Sequence, residues 1–420
     1  MIDRRDLQAE LDRCAVCGKC RAFCPVFRET LDESKVARGR IRLADSYLRG
    51  DISATRKLGD YVSTCLKCHR CEANCPSGVD YGLIIDAIRT DLVGRRPVPI
   101  LLRLVLRRLL FWRWGFDVAI RLTAFFSKLV PRRGKRLRHL PLFILGGRGM
   151  PPIARRTALS WARERPTSPA GETVTFFVGC LMNYVYPEAA RSCVEVLERL
   201  GLRVVIPADQ LCCGAPALSV GDVQAVERLA RRNMEVLTRE NPSAVIVGCA
   251  SCAGVLKKEY PKLFGDEFSA LSSKVRSFSE FLAERGEFEW NDERRSKVTY
   301  HDPCHLKWLQ DIHVEPRSLL RGAAEFVEME DADMCCGLGG LFGLFHHGIS
   351  AEIGNEKVRS VMESGAEVVV TECPGCMLQL EDRLSASGAA ADVKHISQVL
   401  CEAMVGGKLR SREEKVAGGS

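Results

Sequence analysis

No stretch of this sequence reaches the roughly 18 consecutive apolar residues that a membrane-spanning helix requires, which excludes a multispanning membrane protein. Met1 to Glu10 is polar and charged and lacks the apolar segment of a secretory signal. Arg4 and Arg5 are followed by Asp6 and Gln8 instead of the apolar run of a twin-arginine signal. The expected location is therefore a reducing cytoplasm. No GxxxxGK[ST] phosphate loop occurs, and Gly337, Gly339, Gly340 and Gly343 fail the dinucleotide pattern because Phe342 takes its last position. Without a nicotinamide or flavin fingerprint, hydride chemistry has to be done by another chain.

What is present is an ordinary soluble composition with one outlying number. The 420 residues are 46% hydrophobic and 27% charged, a length that calls for two to four domains. Twenty of them are cysteine, too many for a typical enzyme and too few for a small disulfide scaffold. In a reducing compartment such cysteines are read as metal ligands or redox thiols.

Two cysteine runs stand near the amino terminus: Cys14, Cys17, Cys20, Cys24-Pro25 and, 51 residues on, Cys65, Cys68, Cys71, Cys75-Pro76. Both have the CxxCxxCxxxCP spacing of bacterial ferredoxins, in which the fourth cysteine of each run ligates the other four-iron four-sulfur cluster. That rule groups Cys14, Cys17, Cys20 and Cys75 on one cubane cluster, and Cys65, Cys68, Cys71 and Cys24 on the other. Structural zinc would use paired CxxC steps; the third overlapping step, the Cys-Pro ending and the duplication fit clusters better. The segment Glu33 to Gly50 between the runs reads as a helical spacer without chemistry, and His69 as a residue that tunes or shields a cluster.

Between Arg95 and Arg138 thirteen Lys or Arg face one acid, Asp117, so this segment carries +12 of a net +8 and leaves −4 elsewhere. Ile100 to Val130 reads as basic amphipathic helices with Phe111, Trp112, Trp114, Phe125 and Phe126 interleaved. Such a face suits an anionic membrane surface or a partner subunit, and equally a solvated linker. Prolines and glycines around it mark a connector. Nucleic-acid binding is discounted, since no reader module accompanies the charge.

Beyond the connector the chain repeats itself. Cys180, Cys212, Cys213, Cys249 and Cys252 return as Cys304, Cys335, Cys336, Cys373 and Cys376 at offsets of 123 or 124 residues. In each copy β-branched runs alternate with helical patterns. Strands are expected at Thr173–Val178, Leu202–Ile206 and Ala244–Val247, and at Lys297–Tyr300, Glu325–Met329 and Glu367–Thr371. Helices are expected at Pro187–Leu200, Asp222–Arg239 and Ser350–Ser364. This is the pattern of an α/β domain with a largely parallel sheet, with the cysteines after the strands, at one sheet edge. The expected fold is thus multidomain α+β. It comprises a helical ferredoxin-like domain (1–92), a basic helical connector (93–172) and two duplicated α/β domains (173–292 and 293–420).

Five thiolates exceed the four positions of tetrahedral zinc, which favours a polynuclear iron-sulfur centre in each copy and leaves zinc open at one. His301 and His305 flank Cys304 and are read either as donors to a cluster or proton carriers, or as loop residues. Cys193 and Cys401 sit at helical spacing with apolar neighbours and read as core thiols.

The adjacent pairs Cys212-Cys213-Gly214 and Cys335-Cys336-Gly337 carry a resemblance. Residues 173 to 400 resemble two CCG domains, the cysteine-rich modules of heterodisulfide reductases and glycolate oxidase iron-sulfur subunits. Two ferredoxin runs followed by two CCG domains is the order of the iron-sulfur subunits of glycolate oxidase, D-lactate dehydrogenase and anaerobic glycerol-3-phosphate dehydrogenase, and of the catalytic component of membrane-bound heterodisulfide reductase. Cys75-Pro76-Ser77-Gly78-Val79 and His301-Asp302-Pro303-Cys304-His305 resemble the glycolate and lactate group, whereas Glu259-Tyr260-Pro261 is similar to the glycerol-3-phosphate subunit. The resemblance implies a non-cubane four-iron four-sulfur cluster on each five-cysteine set. It also implies a flavin-binding partner that oxidises a 2-hydroxy acid, and electron transfer towards a quinone-linked acceptor at the inner face of the cell membrane. The alternative it implies is cleavage of a disulfide at a CCG cluster. All ten CCG cysteines are retained here, although some glycolate oxidase subunits lack one or more.

Overall fold

The computed structural model describes residues 4–95, 115, 148–149, 151–165, 171–291 and 296–410, with a short antiparallel pair at Arg132–Arg133 and Arg136–Leu137. The basic stretch from Ile100 to Val130 lies, apart from residue 115, outside the described residues.

The amino-terminal unit is helical among its described residues: α1 (Arg4–Asp12), α2 (Ala37–Arg49), α3 (Arg56–Ser63) and α4 (Tyr81–Arg95) surround the cysteine runs. Apolar residues at helical spacing, Leu7 and Leu11, Ile41 and Ala44, Leu58 and Val62, Ile84, Ile85 and Ile88, turn inward and form one core. The Thr55 hydroxyl accepts from the Leu58 amide to cap α3, and Gly50 ends α2 in the left-handed conformation.

Each copy of the repeat is a four-stranded, all-parallel sheet. The first contains β1 (Thr173–Phe177), β2 (Arg203–Val205), β3 (Ala244–Val247) and β4 (Val275–Ser277) in the order 2-1-3-4. The second contains β5 (Lys297–Tyr300), β6 (Glu325–Phe326), β7 (Val368–Thr371) and β8 (Asp392–His395) in the matching order 6-5-7-8. All residues of β3 and β7 are buried, as expected where helices cover both faces of a parallel sheet. All six strands expected from sequence are present, Ala244–Val247 and Lys297–Tyr300 at the expected bounds and the other four with trimmed ends. Within the two parallel sheets the strands not anticipated, β4 and β8, are short edge strands whose sequences, VRS and DVKH, offer too few apolar residues for a pattern, and an antiparallel pair of Glu287–Trp290 with Met404–Arg410 was not anticipated either. Nor was helix Pro374–Ser387, which starts with a proline in its first turn.

The two sheets share one hydrophobic core. It takes Val174, Phe176 and Leu197 from the first copy, and Val298, Val370 and Leu400 from the second. Helix α5 (Pro187–Arg199) of the first copy packs on α6 (Ile396–Ala403) of the second, while Phe278–Arg285 packs on Val314–Ala323. Cys193 is fully buried in this core, and Cys401 is half-buried at its margin. Helix Ala158–Glu164, within the span expected as connector, adds Ala158 and Leu159 to the same core.

Polar contacts hold the junction in register. His395, at the end of β8, donates from Nε2 to the Gly248 carbonyl at 2.7 Å and accepts at Nδ1 from the Ser397 amide at 3.2 Å. The Ala250 amide donates to the Glu372 carbonyl oxygen at 2.9 Å, and the Glu372 carboxyl accepts from the Ser279 amide at 3.2 Å. Burial pushes His395 down to about 4 and Glu372 up to about 8. The depressed His395 means the unfolded chain binds the extra proton between about pH 6.5 and 4. Its contribution is therefore present above that window and lost as pH falls through it. Relative to His395→Gln, the parent is expected to lose about 1 kcal/mol more unfolding free energy between pH 7 and 5.5. Anaerobic denaturant titration of both proteins checks this, and parallel pH profiles would contradict it.

Candidate iron-sulfur centres

The two ferredoxin runs adopt the same backbone path. Val16 and Gly18 in the first, and their counterparts Lys67 and His69 in the second, all have positive φ, between 52° and 79°. These left-handed residues fold the chain back so that successive cysteines point to one side. Backbone amides reach the sulfurs: Phe27 N lies 3.4 Å from Cys24 Sγ, and Lys67 N lies 3.3 Å from Cys65 Sγ. Cys14, Cys17, Cys20 and Cys75 line one small cavity; Cys24, Cys65 and Cys68 line another; Cys71 borders both. The fourth cysteine of each run therefore stands with the other run's first three. Cys17 is exposed, whereas Cys65 and Cys68 are buried.

The repeated set departs from the picture of two separate sites. Cys180 contacts Cys212, then Cys213, Cys252 and Cys249 follow in a row. The second copy repeats the order as Cys304, Cys335, Cys336, Cys376 and Cys373, with Cys336 and Cys376 sulfurs 3.4 Å apart. Cys249 also contacts Cys373, so ten thiols form one continuous array across the junction. Nine of them, all but Cys212, line a cavity of about 400 Å³ whose other walls include Leu181, Leu309, Leu338, Leu341 and Phe342. The 2-1-3-4 order makes this the place where strand order reverses, at the carboxyl ends of β1 and β3. Gly214 and Gly337 have φ of 93° and 89°, and each amide points at the sulfur two residues before it, at 3.4 and 3.5 Å. Hydrogen bonds from neighbouring thiols, Cys212 foremost, bring Cys213 down to about 6. Cys335 and then Cys376 lower Cys336. In each copy the neighbouring thiols thus favour the thiolate form, the form that metals bind, at one cysteine of the adjacent pair.

The ferredoxin unit docks directly on this array. Cys68 lies beside Cys304, and Val26, Leu66, Cys68, Cys335, Phe342 and Ile353 form a small apolar cluster there. The His305 ring bonds the Lys67 carbonyl at 2.9 Å, and its ring centroid is 5.8 Å from that of His69. Buried Lys67 bridges Asp86 at 2.5 Å and Glu259 at 2.9 Å. One cation shared by two buried carboxylates leaves them unequal. Burial and the charge of Glu259 raise Asp86, whereas Lys67 and His69 overcome burial and hold Glu259 down to about 2. Further ion pairs, Arg70 to Asp333 at 3.0 Å and Lys262 to Asp80 at 2.6 Å, close the rim.

His301 is fully buried, neither ring nitrogen has a hydrogen-bond partner, and a ring nitrogen lies within 4.8 Å of the sulfurs of Cys336 and Cys376. Of the two readings of the flanking histidines, His301 faces the cysteines, and His305 bonds the docking loop. The segment expected to be an inert spacer contributes Arg40. This residue is 3% exposed and donates to the Tyr61 carbonyl at 2.8 Å and the Thr64 hydroxyl at 2.9 Å. Although burial opposes its charge, Tyr81, Cys65 and Cys24 hold it protonated beside the second ferredoxin set. Its signal was hidden because Arg38, Arg40 and Arg42 look alike on a helix whose buried face only the fold defines.

Converging thiols, amides aimed at sulfur and an unpartnered buried histidine are a donor set that fits iron-sulfur centres. Cys24→Ala is expected to deplete iron from the centre grouped with Cys65, Cys68 and Cys71, while the centre grouped with Cys14, Cys17 and Cys20 remains. Iron analysis with electron paramagnetic resonance of the reduced protein separates the two, and loss of the other signal alone would contradict the crossed grouping.

Comparison with known proteins places this geometry. Residues 10–79 match the 4Fe-4S dicluster domain, and 174–257 and 298–381 each match the Cysteine-rich domain, CCG. The probable glycolate oxidase iron-sulfur subunit of Bacillus subtilis is 30% identical over 94% of this chain and 94% of its own length. Lactate utilization protein A 1 of Bacillus mycoides is 34% identical, covering 54% of this chain and 96% of that protein. A component of the dihydromethanophenazine:CoB–CoM heterodisulfide reductase of Methanosarcina acetivorans is 25% identical over 96% of this chain and 97% of its own. With a dicluster domain, two cysteine-rich domains and this end-to-end match, the chain belongs to the glycolate oxidase iron-sulfur subunit family.

Proposed function

We propose that this chain is the iron-sulfur electron-transfer subunit of a flavin-linked dehydrogenase acting on a small 2-hydroxy acid, glycolate or D-lactate. The observation that carries it is the unbroken sequence of cysteine sets, from exposed Cys17, through Cys71 shared by both small cavities, to Cys68 beside Cys304 and the ten-thiol array. In this reading Cys14, Cys17, Cys20 and Cys75 hold one cubane, and Cys65, Cys68, Cys71 and Cys24 the other. Each five-cysteine set holds a further iron-sulfur centre. Such centres, when bound, take up and release single electrons, the complement of a flavin that yields two. The chain's own residues stabilise the charge this adds: amides of Phe27, Lys67, Gly214 and Gly337 point at sulfur, and Arg40 supplies a buried cation. Leu66, Leu338 and Phe342 keep the space between sets apolar.

Substrate oxidation belongs to a flavin-binding partner. The +12 segment between Arg95 and Arg138 is assigned to holding the complex at the inner face of the membrane, near a quinone-linked acceptor. No helix among the described residues is long and apolar enough to cross a membrane.

One observation favours a second reading. Both five-cysteine sets open onto the same apolar cavity of about 400 Å³, an arrangement suited to a disulfide gripped between two redox sites, as in a heterodisulfide reductase. Anaerobic affinity purification of the chain from its host tests both. Recovery of a flavoprotein, with reduction by glycolate or D-lactate, is expected. Recovery of a cytochrome without flavin, with reoxidation by a disulfide, would replace the dehydrogenase reading with the reductase.

A further inference from the structure

The two five-cysteine sets share an origin and a thiol order, yet their surroundings differ in charge. Counting from Cys180 and Cys304, the position occupied by Phe177 in the first copy is His301 in the second. Counting back from Cys249 and Cys373, Asn233 in the first copy becomes Lys357 in the second. The Asn233 amide is neutral and spans its loop, donating to the Cys212 carbonyl at 3.0 Å and accepting from the Leu211 amide at 2.9 Å. Lys357 takes that place with an ammonium group, which burial lowers to about 8. It is completely buried, donates to the Asp331 carbonyl, and interacts electrostatically with Cys336. Arg148, 7% exposed, adds a second cation. It donates to the Gly343 carbonyl at 3.0 Å, to the Gln379 amide oxygen at 2.5 Å and to the Ser350 hydroxyl, and it too interacts with Cys336.

The acids near this second set are answered by other cations. Asp302 is clamped by Arg317 at 2.7 and 2.8 Å, Asp333 pairs with Lys307 and Arg70 at 3.0 Å, and Asp331 pairs with Arg28 at 3.4 Å. Asp382, the acid facing Arg148, pairs with Arg383 at 2.6 Å. Arg317 also holds Glu328 at 2.7 Å and Arg28 also holds Glu356 at 3.4 Å, whereas among the described residues neither Lys357 nor Arg148 has a carboxylate within ion-pair distance, so these two cations face the second set without a direct counter-ion.

We propose that the duplicated sites are electrostatically unequal: Lys357, Arg148 and His301 stabilise added negative charge at the Cys304 set, so that it accepts an electron at a higher potential than the Cys180 set. This rests on the reading that both sets hold iron-sulfur centres. The step is the uptake of one electron with no bond made or broken, supplied in the complex by the partner flavin. Potentials of such centres respond to nearby charge and to hydrogen bonds at sulfur, and a buried cation is screened less than one in bulk water. The site that Cys68 touches is thus also the one that holds an electron more firmly, which gives the array a direction.

The test is a dithionite titration of the full chain, purified anaerobically, followed by electron paramagnetic resonance. Cys213→Ala and Cys336→Ala assign the first-site and second-site signals. The second-site signal is expected to appear at the higher potential. Lys357→Asn and His301→Phe install the first copy's residues. Lys357→Asn is expected to lower the second-site equilibrium about tenfold, about 59 mV for one electron, with the first-site signal unmoved and with rescue in Lys357→Arg. If Lys357→Asn loses its second-site iron, the reciprocal Asn233→Lys decides, and a rise in the first-site potential is expected. Equal potentials, or potentials unmoved by Lys357→Asn and Asn233→Lys with iron intact, overturn the proposal alone. Unchanged iron content in both cysteine variants would instead overturn the reading beneath it, and the proposal with it.

Discussion

The geometry of the site depends on how the two halves of the repeat meet. His395 donates to the Gly248 carbonyl, the Ala250 amide donates to the Glu372 carbonyl, and the Glu372 carboxyl accepts from Ser279. Each contact lies one or two residues from a cysteine or at the cap of a helix that packs across the junction. Because Gly248 and Glu372 are equivalent positions in the repeat, the bonds pin the ends of β3 and β7 against each other. Cys249 and Cys373 then have to face one another. Had the copies been linked as independent domains, the same ten cysteines would form two distant sites. The shared core gives this alignment its stiffness, since close-packed interiors transmit displacement instead of absorbing it.

A second constraint fixes the ferredoxin unit to this frame. Lys67 is buried against two carboxylates from different parts of the chain, Asp86 of α4 and Glu259 of the first repeat. Such a group is a weak source of net stability but strongly disfavours any docking that leaves a charge unpaired. It sits two residues from Cys65 and one from Cys68, so the orientation it selects is the one that sets Cys68 beside Cys304.

Much of this was legible in the sequence because cysteine spacing is a near-literal record of local geometry. The two CxxCxxCxxxCP runs carry their grouping in the ligation rule, and the repeat offsets of 123 and 124 declared the duplication. The strands β1, β3, β5 and β7 were readable from dense β-branched runs. What was hidden depends on tertiary contact. No spacing says that Cys249 meets Cys373, that Arg40 is the inward arginine of three on its helix, or that Arg148 leaves the connector to settle beside the second set. The edge strands β4 and β8 were invisible since pairing, not composition, makes them strands.

The cysteine sets form one continuous array in which the second ferredoxin set adjoins the Cys304 set. Spin–spin interaction between reduced centres measures that adjacency directly. In the dithionite-reduced protein the signal of the Cys65, Cys68, Cys71 and Cys24 set is expected to be broadened by a neighbouring spin, and to sharpen in Cys336→Ala. A signal that is sharp in the parent protein with the Cys304 set shown to be paramagnetic, or one indifferent to Cys336→Ala, would contradict that adjacency.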